Sequence, residues 1–144
     1  MKKMKLNLAL VLIATILFSC KKDKEENKPT GCPITVEGLA GTYRYTSIMY
    51  KDSPNGTTID MFATMEECEK EQTFVLKGDG TYTYSDACAA SESSSGNWQV
   101  KDNTLAIDDM QGGTISSYDC KKLVYYVNNA LQEGDRMTLT LEKQ

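Results

Sequence analysis

Residues 72–85, read as QTFVLKGDGTYTYS, hold two short runs in which alternate positions face opposite ways. Phe74 and Leu76 alternate with Thr73 and Val75, and Tyr82 and Tyr84 alternate with Thr81 and Thr83. Two period-2 runs separated by Lys77-Gly78-Asp79-Gly80 predict a β-hairpin. A three-residue loop of Lys77, Gly78 and Asp79 places Leu76 opposite Gly80 and Phe74 opposite Tyr82. The same register carried outward sets Cys68 opposite Cys88, so one face holds the apolar side chains and both sulfurs.

A second hairpin follows at Asn97 to Val100 and Thr104 to Ile107. A two-residue turn at Asp102-Asn103 pairs Val100 with Leu105 and Trp98 with Ile107, and all four share a face. Upstream, Leu39-Ala40-Gly41-Thr42-Tyr43 leads into a long first strand. Tyr43, Tyr45, Ser47 and Met49 are expected on one side of it, and Arg44, Thr46, Ile48 and Tyr50 on the other. The turn formers Asp52-Ser53-Pro54-Asn55-Gly56 end this strand, and Thr57 to Met61 is a short strand after it.

Thr64 to Glu71 reads as a helical turn or two, with Thr64 as N-cap and Glu67 completing a capping box. That reading competes with extending the hairpin strand back to Cys68. Ser91 to Ser95 reads as a surface loop. Gly112-Gly113 is a turn, Thr114 to Tyr118 a weak strand, and Leu123, Tyr125 and Val127 alternate in the next. Met137, Leu139 and Leu141 alternate in the last strand, after a turn at Glu133-Gly134-Asp135. About eight strands with short turns and little helix predict an all-β fold, an antiparallel sandwich or up-and-down barrel. An eight-stranded barrel either fills its interior with side chains or holds one small ligand.

The N-terminus follows a different rule. Lys2, Lys3 and Lys5 precede an almost wholly apolar stretch, Leu6 to Phe18, which is too short for the roughly 20 residues that span a bilayer. It reads as a signal peptide over residues 1–19. The next segment, KKDKEENKPT, has no apolar residue, so residues 20–31 read as a solvated tether and 32–144 as one domain. Removal of residues 1–19 takes away Lys2, Lys3 and Lys5 and no acid, and the formal charge of −4 becomes −7. Such an acidic surface argues against a nucleic-acid partner.

Beyond Cys20, four cysteines remain, Cys32, Cys68, Cys88 and Cys120. An even number in an exported domain points to two disulfides. Hairpin register favours Cys68–Cys88, which leaves Cys32–Cys120. The chain contains no histidine, so the commonest general base and transition-metal ligand are both missing. A Ser-His-Asp triad is therefore impossible, and no Ser-x-x-Lys motif occurs. The adjacent carboxylates Asp108-Asp109 and Glu66-Glu67 diverge from each other and read as turn and surface charge. Asp79 between two glycines lacks the spaced partners of a calcium loop and reads as a turn residue. No cofactor, metal or catalytic residue is expected. Tyr43, Tyr45, Trp98 and Tyr125 are amphipathic aromatics expected to point inward, where they either pack the core or line a ligand cavity.

Three resemblances add to this reading. Leu17-Phe18-Ser19-Cys20 resembles the lipobox of bacterial lipoproteins, which implies cleavage before Cys20, lipidation of its sulfur and a membrane partner. Asp23, Glu25 and Glu26 beside it resemble the export signal of Bacteroidetes surface lipoproteins, with a generic spacer as the other reading. The domain itself resembles the lipocalin-like domain of small Bacteroidetes lipoproteins. The matching pieces are Leu39 to Tyr43, Phe74 to Tyr82, Gly96-Asn97-Trp98 and Met137 to Leu141, in the family's order. The resemblance implies a lipocalin/calycin-like barrel of about eight strands. True lipocalins carry Gly-x-Trp in the first strand with an arginine packed on the tryptophan. Here the motif is Gly41-Thr42-Tyr43, and Arg136 is the candidate arginine.

The expectation is a non-enzymatic, monomeric lipoprotein of the outer membrane whose barrel binds a small apolar or amphipathic molecule. The alternative is a packed barrel that contacts a protein or glycan through Ser91–Gly96 and Asn128–Gly134.

Overall fold

The computed structural model describes residues 32–108 and 112–144. The signal segment 1–19, the tether 20–31 with Cys20, and Asp109 lie outside the described residues. Helix α1 (Val36–Leu39) leads into β1 (Gly41–Lys51) and the short β2 (Thr58–Asp60). A 3-10 turn at Phe62–Thr64 and helix α2 (Glu67–Lys70) precede β3 (Thr73–Leu76) and β4 (Thr81–Ser85). Five further strands follow: β5 (Ser94–Lys101), β6 (Thr104–Ile107), β7 (Gly113–Tyr118), β8 (Lys122–Asn128) and β9 (Arg136–Lys143).

From β3 to β9 each strand pairs antiparallel with the next, and β1 closes the ring between β9 and β3. The result is a closed eight-strand antiparallel barrel. β1 is long enough to be shared: residues 41–44 pair with β3, residues 49–51 pair with β2, and residues 43–51 pair with β9. β2 thus continues the wall beyond the end of β3.

The Asp102-Asn103 turn is as expected, with φ of 49° and 59° at its two central residues. Positive φ at both positions matches the right-handed twist of the flanking strands. Trp98 pairs with Ile107 and Val100 with Leu105. The first hairpin is displaced by two residues from the expected register: Leu76 faces Tyr82 and Phe74 faces Tyr84. Lys77 pairs with Thr81, its amide donating to the Thr81 carbonyl at 2.8 Å, so the loop keeps three residues but is centred one position later, on Gly78-Asp79-Gly80. The Asp79 carboxylate holds it there by accepting from the Thr81 amide at 2.9 Å and its hydroxyl at 2.6 Å, and Gly80 supplies the positive φ. A slip of two preserves the side-chain face, so Phe74, Leu76, Tyr82 and Tyr84 still point inward.

Two further expectations change. In β1, a bulge between Tyr45 and Ser47 leaves Thr46 without a ladder partner, after which Ile48 faces Leu139 and Tyr50 faces Met137. Ser47 and Met49 therefore turn away from the face that Tyr43 and Tyr45 share. Around Cys68 the helical reading holds, but the capping box is built from Glu66 and Glu69, whose carboxylate accepts from the Glu66 amide at 2.7 Å. Thr64 instead bonds the Met61 carbonyl within the preceding 3-10 turn. The Cys68–Cys88 disulfide consequently joins α2 to the segment after β4 rather than two paired strands. Cys32–Cys120 is the second bridge. The serine-rich stretch is less of a loop than expected, because Ser94, Ser95 and Gly96 pair with Tyr84, Thr83 and Tyr82.

Candidate functional site: an open-ended barrel interior

The two ends of the barrel are built differently. At one end α1 lies across the opening, capped by the Thr35 hydroxyl, with Leu39 fully buried beneath it. Two phenols latch it in place: Tyr43 donates to the Leu39 carbonyl at 2.7 Å, and Tyr118 donates to the Gly38 carbonyl at 2.8 Å. Cys32–Cys120 ties the same segment to the β7–β8 turn. Trp98 is buried beside this end, its indole N–H donating to the Lys77 carbonyl at 3.0 Å. Here the interior is packed with Leu39, Tyr43, Leu76, Trp98 and Leu123.

Toward the other end the side chains stand apart and leave two adjoining chambers. One, of 440 Å³, has walls of Leu105, Ile107, Val127, Met137 and Leu139, with Ala130 and Leu131 at its mouth. The second, of 400 Å³, is walled by Phe74, Tyr82, Tyr84 and Ile107, with Gln72 and Ser94 at its rim. Tyr45 and Tyr125 border both chambers and stand between them. Each volume lies within the roughly 300–1,000 Å³ common for small-molecule sites.

The four aromatics expected to face a cavity therefore divide. All point into the barrel, but Tyr45 and Tyr125 border the chambers, whereas Tyr43 and Trp98 seal the opposite end. Phe74, Tyr82 and Tyr84 also face the second chamber. They share the alternation of the first hairpin, and that parity was the sequence signal for them. Arg136 is not the counterpart of the lipocalin arginine. Its guanidinium stacks on Tyr126 at 4.3 Å, and the cation over the Tyr43 ring is Lys143, at 5.7 Å.

Burial pushes the Tyr45 hydroxyl pKa well up, and the facing Tyr125 hydroxyl pushes it further. Tyr125 is pushed up to about 12 by burial, against a smaller opposing effect of Tyr45. Burial and then the Asp86 carboxylate push Tyr84 up to about 12. These phenols stay protonated at neutral pH and offer hydrogen bonds and ring faces, not proton transfer. Glu66, Cys68 and Cys88 lie close together, but both sulfurs are in the disulfide and are not thiolate ligands.

A closed antiparallel barrel, sealed at one end and hollow toward the other, defines a calycin-type binding scaffold. The family model for the lipocalin-like domain matches residues 39–140, and the chain belongs to that family. Neither a curated protein nor a solved structure matches it.

Proposed function

We propose that this protein is a lipid-anchored lipoprotein of the cell envelope, held in the outer membrane through Cys20, whose barrel binds a small apolar or amphipathic molecule without catalysis. The observation that carries the binding reading is the apolar chamber of 440 Å³ bordered by Tyr45 and Tyr125. Its lining draws on inward-facing residues of five strands, β1, β6, β7, β8 and β9, and the lipocalin-like family supports a binding fold. The anchoring reading rests on Leu17-Phe18-Ser19-Cys20 behind a basic, then apolar, leader.

The strands and both disulfides of the described residues lie within residues 32–144, and the family model matches 39–140 within the same span. Native mass spectrometry of that span, purified from a cell-envelope extract, is the test. A small molecule released on unfolding supports the binding reading. A clean apo mass, together with no melting shift across a panel of amphiphiles, refutes it. Radiolabelled palmitate incorporated by the full chain but not by Cys20→Ala tests the anchor.

A further inference from the structure

The second chamber has a chemistry that the first lacks. Five aromatic rings, Tyr45, Phe74, Tyr82, Tyr84 and Tyr125, face it. Tyr45 and Phe74 meet edge to face at 5.2 Å, and Phe74 and Tyr84 lie 4.9 Å apart at a tilt, so the rings form a continuous angled wall. Behind that wall stands Asp86, whose carboxylate accepts from the Tyr84 hydroxyl at 3.0 Å and the Gln72 amide at 3.3 Å. It also accepts from the Cys88 and Ala89 backbone amides, which fix its position. The Tyr82 hydroxyl interacts with a second carboxylate, Asp108.

None of the residues lining either chamber is a lysine or an arginine. Among the described residues, the ion pairs join Lys70 to Glu67 and Lys121 to Glu142, and neither involves Asp86 or Asp108. Ring faces carry the negative side of the aromatic quadrupole, and the carboxylates behind them add to the same sign. An organic cation over such faces is attracted, and an alkyl carboxylate or sulfate is repelled.

We infer that the aromatic chamber takes the ammonium head of a cationic amphiphile while the adjoining apolar chamber takes its tail. This rests on the ligand-binding reading above and narrows it to one class: primary or quaternary alkylamines rather than fatty acids.

The test uses the oxidised 32–144 span and three ligands with one tail length: decyltrimethylammonium, decyl sulfate and decanol, each below its micelle concentration. Isothermal titration is run at high salt, which screens non-specific attraction of a cation to an acidic surface. The ammonium is expected to bind about tenfold more tightly than decanol, and the sulfate more weakly than either. Tyr84→Leu should remove that advantage while decanol binding is retained. Ser94→Lys, at an exposed rim position beside the Tyr82 hydroxyl, should turn the preference toward the sulfate. Decanol binding equal to the ammonium, or sulfate binding tighter, overturns the inference and leaves the binding barrel standing. No binding of any of the three overturns both.

Discussion

Asp135 shows how one side chain can shape the mouth of the barrel. It is a carboxylate only 2% exposed, and it accepts from the backbone amides of Ala130, Leu131 and Gln132 at 2.6, 3.0 and 2.8 Å. The loop that carries Ala130 and Leu131 over the apolar chamber is thus folded around a single buried acid. Burial pushes its pKa up, but the three amides and the nearby Tyr50 hydroxyl outweigh this and hold it below 3.8. A depressed folded-state pKa contributes stability that is present above the unfolded value and is lost as pH falls through the folded one. Asp135→Asn should therefore lower the melting temperature by several degrees at neutral pH, and the gap to wild type should close in strong acid. A constant gap across that range would assign the loss to packing rather than to charge. Gly113 is the second such position, because the Tyr125 ring lies where a β-carbon would stand. Gly113→Val should cost about 1–3 kcal/mol by overpacking. By pushing Tyr125 toward the chambers it should also weaken amphiphile binding, which titration of the folded variant would read directly.

At the scale of elements, legibility depended on whether local chemistry alone set the register. Asp102 and Asn103 both adopt positive φ in a two-residue turn, which leaves one way to pair β5 with β6. Asn103→Gly should hold or raise stability, and Asn103→Val should cost about 1–2 kcal/mol, since a β-branched residue resists the left-handed region. Chemical denaturation of both variants checks the pair. The β3–β4 loop has the expected three residues but sits one position later, at Gly78-Asp79-Gly80, because the Asp79 carboxylate bonds Thr81 and sets it opposite Lys77. The face survived because two residues restore the pleat. The bulge after Tyr45 had no signal in its own sequence. It answers the need of one long strand to serve β3, β2 and β9 in turn. The pairing of the cysteines was legible even though the geometry behind Cys68–Cys88 was not a strand ladder. In the chain-entropy model, the 88-residue separation of Cys32–Cys120 should stabilise more than the 20-residue separation of Cys68–Cys88. The difference is of order 1 kcal/mol. Cys32→Ala/Cys120→Ala should thus melt below Cys68→Ala/Cys88→Ala, and the reverse order would point to strain or residual structure.

For the molecule as a whole, alternation tells which side of the wall a residue faces but not how far along the barrel it sits. That is why Tyr43, Tyr45, Trp98 and Tyr125 looked equivalent in sequence and yet divide between a sealed end and a hollow one. Depth is fixed by the stagger of all eight strands and by the landing of α1 over Tyr43 and Tyr118, neither of which a local pattern encodes. The division has a measurable consequence, because phenols are buried along the whole length of the interior. Burial raises the pKa of Tyr43, Tyr45, Tyr84 and Tyr125, helped by Tyr118 at Tyr43, by Tyr125 at Tyr45 and by Asp86 at Tyr84. A raised folded-state pKa means that the unfolded chain loses its protons first. The stability involved is whole below the unfolded tyrosine value of about 10 and drains away as pH rises past it. With no histidine in the chain, the neutral range lacks the side chain that ordinarily titrates there. Melting temperature should accordingly be nearly flat through neutrality and fall steeply in alkali. Tyrosinate absorbance should appear together with unfolding for the buried rings rather than before it. Tyr45→Phe should make the alkaline fall shallower, since it removes a proton that only the unfolded chain readily gives up. Early ionisation of the full tyrosine complement, ahead of any loss of fold, would mean that water reaches the phenols throughout and that the chambers are wetter than their walls imply.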